Sequence, residues 1–484
     1  MSRRLLCAAL AAVLTSPAAL AASNASLTIY HANNDALFSG SSQGTLNAGH
    51  ALVHEQRKLQ LDAGNHELRI GDLPATLDPE AIRVGFGKGS AVSVLGQRVV
   101  LADGSANGAL DGATGQQVMV TGDSGQTLAS GTLINADNGS LTIRRGDGRV
   151  VLVRNYATVT LATGSVSGGS TLLLHVDSKS AGARNALLTY GTAGLGWRAA
   201  YTAVLANGNH CRMQFEPQAS IANRSGHDYS DATIKLVAGQ PNLGNRGIRM
   251  YSMAAAPAPM VAEARPMPKQ ASLGDYRSFT LPGTVTLPNG TVTLTPLYAP
   301  RELACQREYV VEDGGSGYPP KPNTNDYGSQ HYQDRAIAST LAFTAPEALP
   351  AGTLRAWISD HDGAPELLGE GGIADTPKGQ RVSVQLGESF DLRVSRERTS
   401  FHVDIKAHRM SEAYKITLSN GGDTARTVTV REHPNRWREW TVTSSSHKPS
   451  KQTPQLLEFK VPVPAHGKAT LTYAVQYTWM AKDM

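Results

Sequence analysis

The densest recognition chemistry in the chain lies in Arg431-Glu432-His433-Pro434-Asn435-Arg436-Trp437-Arg438-Glu439-Trp440, where two tryptophans alternate with arginines near a proline. Tryptophan faces stack on sugar rings or hold cations, and arginine forks grip carboxylate or phosphate. Arg436, Trp437, Arg438 and Trp440 are therefore the candidate binding residues, and a surface for anionic polysaccharide would look like this. The competing expectation is a sandwich edge, where tryptophans cover a core while arginines stay solvated.

Catalytic patterns are weaker. Gly40-Ser41-Ser42-Gln43-Gly44 matches G-x-S-x-G, but a nucleophile elbow needs a buried strand before the serine and a helix after it. Ala36-Leu37-Phe38 and small polar residues flank it instead, in a chain without strand and helix alternation. Gly122-Asp123-Ser124-Gly125 echoes a trypsin-like serine loop, yet it lies between short strands with no convincing upstream His and Asp in the expected order, so it is read as a turn. His50 and His54 are four apart with Glu55 following, but His54-Glu55-Gln56-Arg57-Lys58 ends in lysine where a zinc helix needs histidine. On a strand both histidines would share one face, with no third ligand near in sequence.

Asp360-His361-Asp362-Gly363 lacks the later acidic ligands of a calcium loop and is read as a polar turn. Glu366, Glu370 and Asp375 lie in a Gly-rich stretch. Nothing singles out two of them as a hydrolytic pair, whose separation is spatial. No catalytic residue, metal site or cofactor is assigned. The enzyme alternative is a secreted hydrolase with an active site assembled from separated loops.

The elements that would carry these residues are strands. Ten Asn-Gly or Asp-Gly pairs punctuate the chain, and such pairs supply the positive φ angles of hairpin turns. Two antiparallel hairpins are expected. One joins Thr284-Val285-Thr286-Leu287 to Thr291-Val292-Thr293-Leu294 through Pro288-Asn289-Gly290, and the other joins Leu141-Thr142-Ile143 to Val150-Val151-Leu152-Val153 through Asp147-Gly148. Apolar runs with a 3.6-residue period and caps are hard to find, so the fold class is all-β, built of tandem antiparallel sandwich or barrel domains.

Length divides the chain, because domains of about 100 to 200 residues are the norm. The expected parts are 1–21, a signal peptide; 22–95, an N-terminal β domain; 96–162, a small Gly-rich barrel-like insert of about five strands; 163–390, a central β domain; and 391–484, a C-terminal sandwich. Met253 to Pro268, rich in Ala, Pro and Met, is expected to be a loop or linker. Asp313 to Asp326, with Gly314-Gly315, Pro319-Pro320 and Pro322, is expected to be an exposed connection or a lid or contact loop.

The first residues point to export. Arg3 and Arg4 precede an apolar run from Leu5 to Leu14 and the small-residue site Ala19-Leu20-Ala21, the pattern of a cleaved Sec-type signal. Cys7 has no apolar run before it, which argues against a lipid anchor. No later stretch is long and apolar enough for a transmembrane helix, and the proline-interrupted strands do not suit an outer-membrane barrel. A soluble protein of the periplasm or the exterior is expected. The formal charge of +5 is scattered rather than clustered, so nucleic acid is not an expected partner; an envelope protein or cell-surface polysaccharide is. Cys211 and Cys305 remain after processing, and in an oxidising compartment such a pair is expected to bond.

Gly49-His50-Ala51-Leu52-Val53-His54-Glu55, Leu77-Asp78-Pro79-Glu80, the run Leu188-Thr189-Tyr190-Gly191-Thr192-Ala193-Gly194-Leu195-Gly196-Trp197-Arg198-Ala199-Ala200-Tyr201, Leu236 to Asn242 and Asp375-Thr376-Pro377-Lys378-Gly379 carry a family likeness. Together they resemble the mucoidy inhibitor A-like family, whose shared domain is of unknown function. The resemblance spans most of the mature chain and implies a secreted or periplasmic β-rich protein with no established catalytic residues to transfer. Many relatives place a helical coiled coil between the N-terminal unit and the shared domain, where this chain has the Gly-rich segment 96–162. Trp197, Tyr190 and Tyr201 are expected in a sheet core, where each buries a large apolar area.

Overall fold

The computed structural model describes residues 25–39, 48–87, 89–102, 110, 113–137, 139–161, 169–206, 211–239, 267–315, 317–326, 331–359 and 362–483. The export signal, the serine motif at 40–44, residues 360 and 361, and most of the 253–268 segment lie outside these residues. What is described is almost wholly strand, as alternation demands: Leu195–Leu205 and Arg409–Asn420 each turn every second side chain into a core. The all-β class holds.

The described residues form four sheets. In an eight-stranded sheet, Ser26–Tyr30 pairs parallel with Tyr229–Ala238 and antiparallel with Ala51–Leu61, which in turn pairs with Gly182–Thr192. Gly64–Leu73 and Val92–Val100 flank Ser170–Ser178 in a three-stranded sheet. The strands of 26–100 thus share both sheets with strands from beyond residue 163.

Residues 117–161 form a five-stranded sheet over their own core of Val118, Val120, Leu133, Leu141 and Ile143. Its edge strands, Thr158–Leu161 and Val150–Arg154, are not paired with each other among the described residues, so the sheet is open where a small barrel was expected. The fourth sheet has 14 strands and includes Arg381–Asp404, a strand of 24 residues that runs across the 390/391 division.

The two expected hairpins part company. Leu141–Ile143 does pair with Val151–Val153 across a turn in which Gly148 has φ 81°. Val285–Leu287 and Thr291–Pro296 do not pair with each other: the first joins Tyr229–Ala238 and the second joins Arg212–Asn223. The Pro288-Asn289-Gly290 turn carries the chain from one sheet to another instead. It is held from outside, since Asn289 N donates to Asp228 Oδ1, Gly290 N to the Asn223 carbonyl and Gly226 N to Asn289 Oδ1. Turn chemistry is local, whereas partner choice belongs to the sheets on either side.

Tyr190, Trp197 and Tyr201 are buried as expected. Burial leaves their polar atoms needing partners, and Trp197 Nε1 donates to the Val237 carbonyl at 3.0 Å while the Tyr201 hydroxyl donates to that of Pro350 at 2.6 Å. Cys211 and Cys305 form the disulfide. It lies beside the Cys305 N–H to Cys211 carbonyl bond of 3.0 Å and ties Arg212–Asn223 to Arg301–Asp313.

Candidate functional site

Two segments that are distant in sequence meet beside the 14-stranded sheet. One is the connection after Asp313; the other is the Glu432–Trp440 stretch. Between them lies a cleft of about 210 Å³, lined by Gly314, Asn323, Glu432, His433, Asn435 and Arg436 among others.

Its floor is built by charge in the wrong phase of an otherwise apolar alternation. Leu392 and Val394 are followed inward by Arg396, Met410 by Glu412 and Tyr414, and Val428 and Val430 by Glu432. All three charged residues are buried, so each needs a partner. Arg396 grips Glu432 with both ends of its fork, Nε to Oε1 at 3.1 Å and Nη2 to Oε2 at 2.8 Å, and the Tyr473 hydroxyl donates to Oε2 at 2.6 Å. Glu412 accepts from Arg436 Nε at 2.7 Å, Tyr414 at 3.0 Å and Tyr477 at 2.8 Å. The Arg396 guanidinium also lies 3.9 Å from the centre of the Tyr414 ring, a cation–π contact.

Burial pushes the Glu432 carboxyl above the usual range, against the pull of Arg396 and the Tyr473 hydroxyl. Burial, reinforced by the nearby carboxylates, holds the Tyr414, Tyr473 and Tyr477 hydroxyls up as well, so they stay protonated donors. The floor is therefore charge-compensated and its carboxylate oxygens are occupied.

The four expected binding residues are split by this arrangement. Trp437 is a core residue, 1% exposed, with the Arg438 guanidinium 4.4 Å from its ring centre. Arg436 is buried against Glu412, away from the solvated state expected of a sandwich-edge arginine. Arg438 stays at the surface and pairs with Asp483 at 3.3 Å. Trp440 is half-buried and donates from Nε1 to the Pro454 carbonyl at 2.7 Å, an oxygen that also accepts from the Tyr318 hydroxyl. Two identical rings thus take different roles, Trp437 in the core cluster and Trp440 at its margin.

Other sequence candidates are scattered. Ser124 sits in a hairpin turn closed by the Gly125 N–H to Gly122 carbonyl bond, and its hydroxyl donates to Gln126. Glu370 pairs with Arg355 at the surface, and Asp375 accepts from Ala351 N at 2.8 Å. Glu55 is buried on the face opposite His54, with Arg57 Nε 2.9 Å from its carboxylate. His54 Nδ1 lies 2.9 Å from the Thr189 hydroxyl. Among the described residues no group of three or more His, Cys, Asp or Glu could hold a metal ion.

His50 has its titration pushed down to about 4, chiefly by burial, with Asp78 pulling the other way. A histidine kept neutral by the fold loses ground to its unfolded form as pH falls below about 6.5, because only the unfolded chain takes the proton readily. Stability present at pH 7 should therefore fall by about 2 kcal/mol between pH 6.5 and 4 on account of this residue. Urea unfolding at both pH values, repeated with His50→Asn, should show that acid loss shrinking in the variant; an equal loss in both would assign it elsewhere.

Fold and site together define an all-β protein with a charge-compensated polar cleft among the strands of its 14-stranded sheet. Residues 186–480, more than half of the chain, match the family described as Domain of unknown function (DUF4139), and the protein belongs to that family. Residues 45–107 match the one described as N-terminal domain of unknown function (DUF4140). No curated protein matches the chain.

Proposed function

We propose that this is an exported, non-catalytic envelope protein of the mucoidy inhibitor A-like kind that binds cell-surface polysaccharide, with the C-terminal cleft as its contact. The observation that carries the reading is the saturation of the floor: both guanidinia and both carboxylates are spent on one another and on tyrosines. What remains at the mouth is polar and uncharged in Asn323 and Asn435, with His433 engaged by Glu312 and the Gln455 carbonyl. Such a surface suits hydroxyl groups better than the anionic chains that free arginines would have favoured.

Its size argues the same way. Small-molecule pockets run from about 300 to 1,000 Å³, and this cleft of about 210 Å³ is nearer the space for one unit of a longer ligand. Trp440 and Tyr318 both donate to the Pro454 carbonyl, next in sequence to Gln455, whose carbonyl lies 2.6 Å from Nδ1 of the cleft residue His433. Export is supported by the residues at 1–21, and a disulfide is at home in an oxidising compartment. Among the described residues no helix is long and apolar enough to cross a membrane.

The test is retention on isolated envelope polysaccharide. An Asn323→Ala, Asn435→Ala variant with unaltered circular dichroism should lose about tenfold or more in affinity, the effect of roughly one or two hydrogen bonds. Unchanged retention would remove the cleft from the contact. A hydrolase is the second reading, favoured by one observation: Glu412 and Glu432 line the same cleft, and Glu432 has the raised titration of a general acid.

A further inference from the structure

We propose that residues 317–326 form a strap over this cleft and that Arg436 is its latch, a regulation that rests on the cleft being the binding site. The connection runs from the end of Arg301–Asp313 to the start of Tyr332–Thr344. That is longer than the roughly 12 to 15 residues beyond which structureless loops become uncommon and are usually functional.

Arg436 holds the strap by its backbone. Nη1 donates to the Asn323 carbonyl at 3.2 Å and the Asn325 carbonyl at 2.8 Å, while Asn323 N donates to the Arg436 carbonyl at 2.9 Å. The same guanidinium gives Nε to Glu412 on the cleft floor at 2.7 Å. One buried side chain therefore joins the strap to the floor, and Arg alone among side chains has a rigid fork that reaches three acceptors in this way.

Other attachments are few and polar. The Tyr318 hydroxyl donates to the Pro454 carbonyl, and Arg398 pairs with Asp326. Of residues 317–326 only Pro322 is buried. A segment with so little apolar burial opens at low free-energy cost compared with the sheets beneath it. Its root requires glycine: Gly314 has φ 96°, and a Cβ there would lie 2.6 Å from the His433 carbonyl oxygen. Lifting the strap would move Asn323 off one wall of the cleft while the ligand enters, and its return would bring Asn323 onto the bound ligand, with Arg436 on Glu412 throughout.

Hydrogen exchange of the full chain tests the latch without any ligand. Arg436→Lys keeps the charge beside Glu412 but loses the fork, and Tyr318→Phe loosens the strap without touching the buried pairs. In both, amides of 317–326 should exchange roughly two- to tenfold faster, as loss of one hydrogen bond implies, while those of Arg409–Asn420 and Gly467–Thr478 keep the wild-type rate. Wild-type exchange across 317–326 in both variants overturns the proposal. If Arg436→Lys speeds exchange throughout the sandwich, Tyr318→Phe decides alone by the same criterion. Faster exchange together with no retention of the wild-type protein on envelope polysaccharide would keep the latch and sink the binding reading instead.

Discussion

Trp437→Ala is expected to lower the unfolding free energy by about 3 to 5 kcal/mol, the range for emptying a large aromatic from a packed core. Trp437 is among the largest fully buried side chains and packs with Val430, Phe459 and Tyr477 in one cluster. Few other elements could fill the space, because the neighbouring strands are fixed by their pairing. Trp440→Ala should cost much less, since its ring is half-buried and its chief polar contact is with Pro454. Denaturant unfolding of both variants separates them. A loss under about 1 kcal/mol for Trp437→Ala, the size usual for ordinary substitutions, would place the ring outside the core.

Breaking the Arg396–Glu432 pair should be as severe. Arg396→Met leaves Glu432 buried with only Tyr473 beside it, and an uncompensated buried charge costs about 3 to 5 kcal/mol. Replacing both partners, Arg396→Met with Glu432→Leu, should recover most of that, because apolar residues of similar volume need no compensation. Equal losses in the single and double variants would mean that the site is damaged by shape rather than by stranded charge. Recovery of stability also yields a folded protein whose floor keeps the Arg436–Glu412 pair alone, in which the contribution of the Arg396–Glu432 pair to binding can be read on its own.

Alternation makes most of the fold legible in the chain, and it hides the site in plain view. The inward phase of 392–396, 410–414 and 428–432 ends each time in a charged or polar residue, which is the signal that Arg396, Glu412 and Glu432 face one another. The four recognition residues draw the eye to Arg436 and Trp437, and there side-chain type cannot tell a solvent-facing platform from a core. That depends on the turn at Pro434 and on the strap that covers it. The Pro288-Asn289-Gly290 turn teaches the same lesson: its dihedral demand is local, but the strands it separates choose partners more than 50 residues away.

The most direct measurement incubates the protein with isolated envelope polysaccharide and follows both bound protein and new reducing ends. A binding protein whose carboxylates are saturated should be retained and release none. Reducing ends that appear with the wild-type protein and vanish with Glu412→Gln or Glu432→Gln would contradict it and establish the cleft as a hydrolytic site.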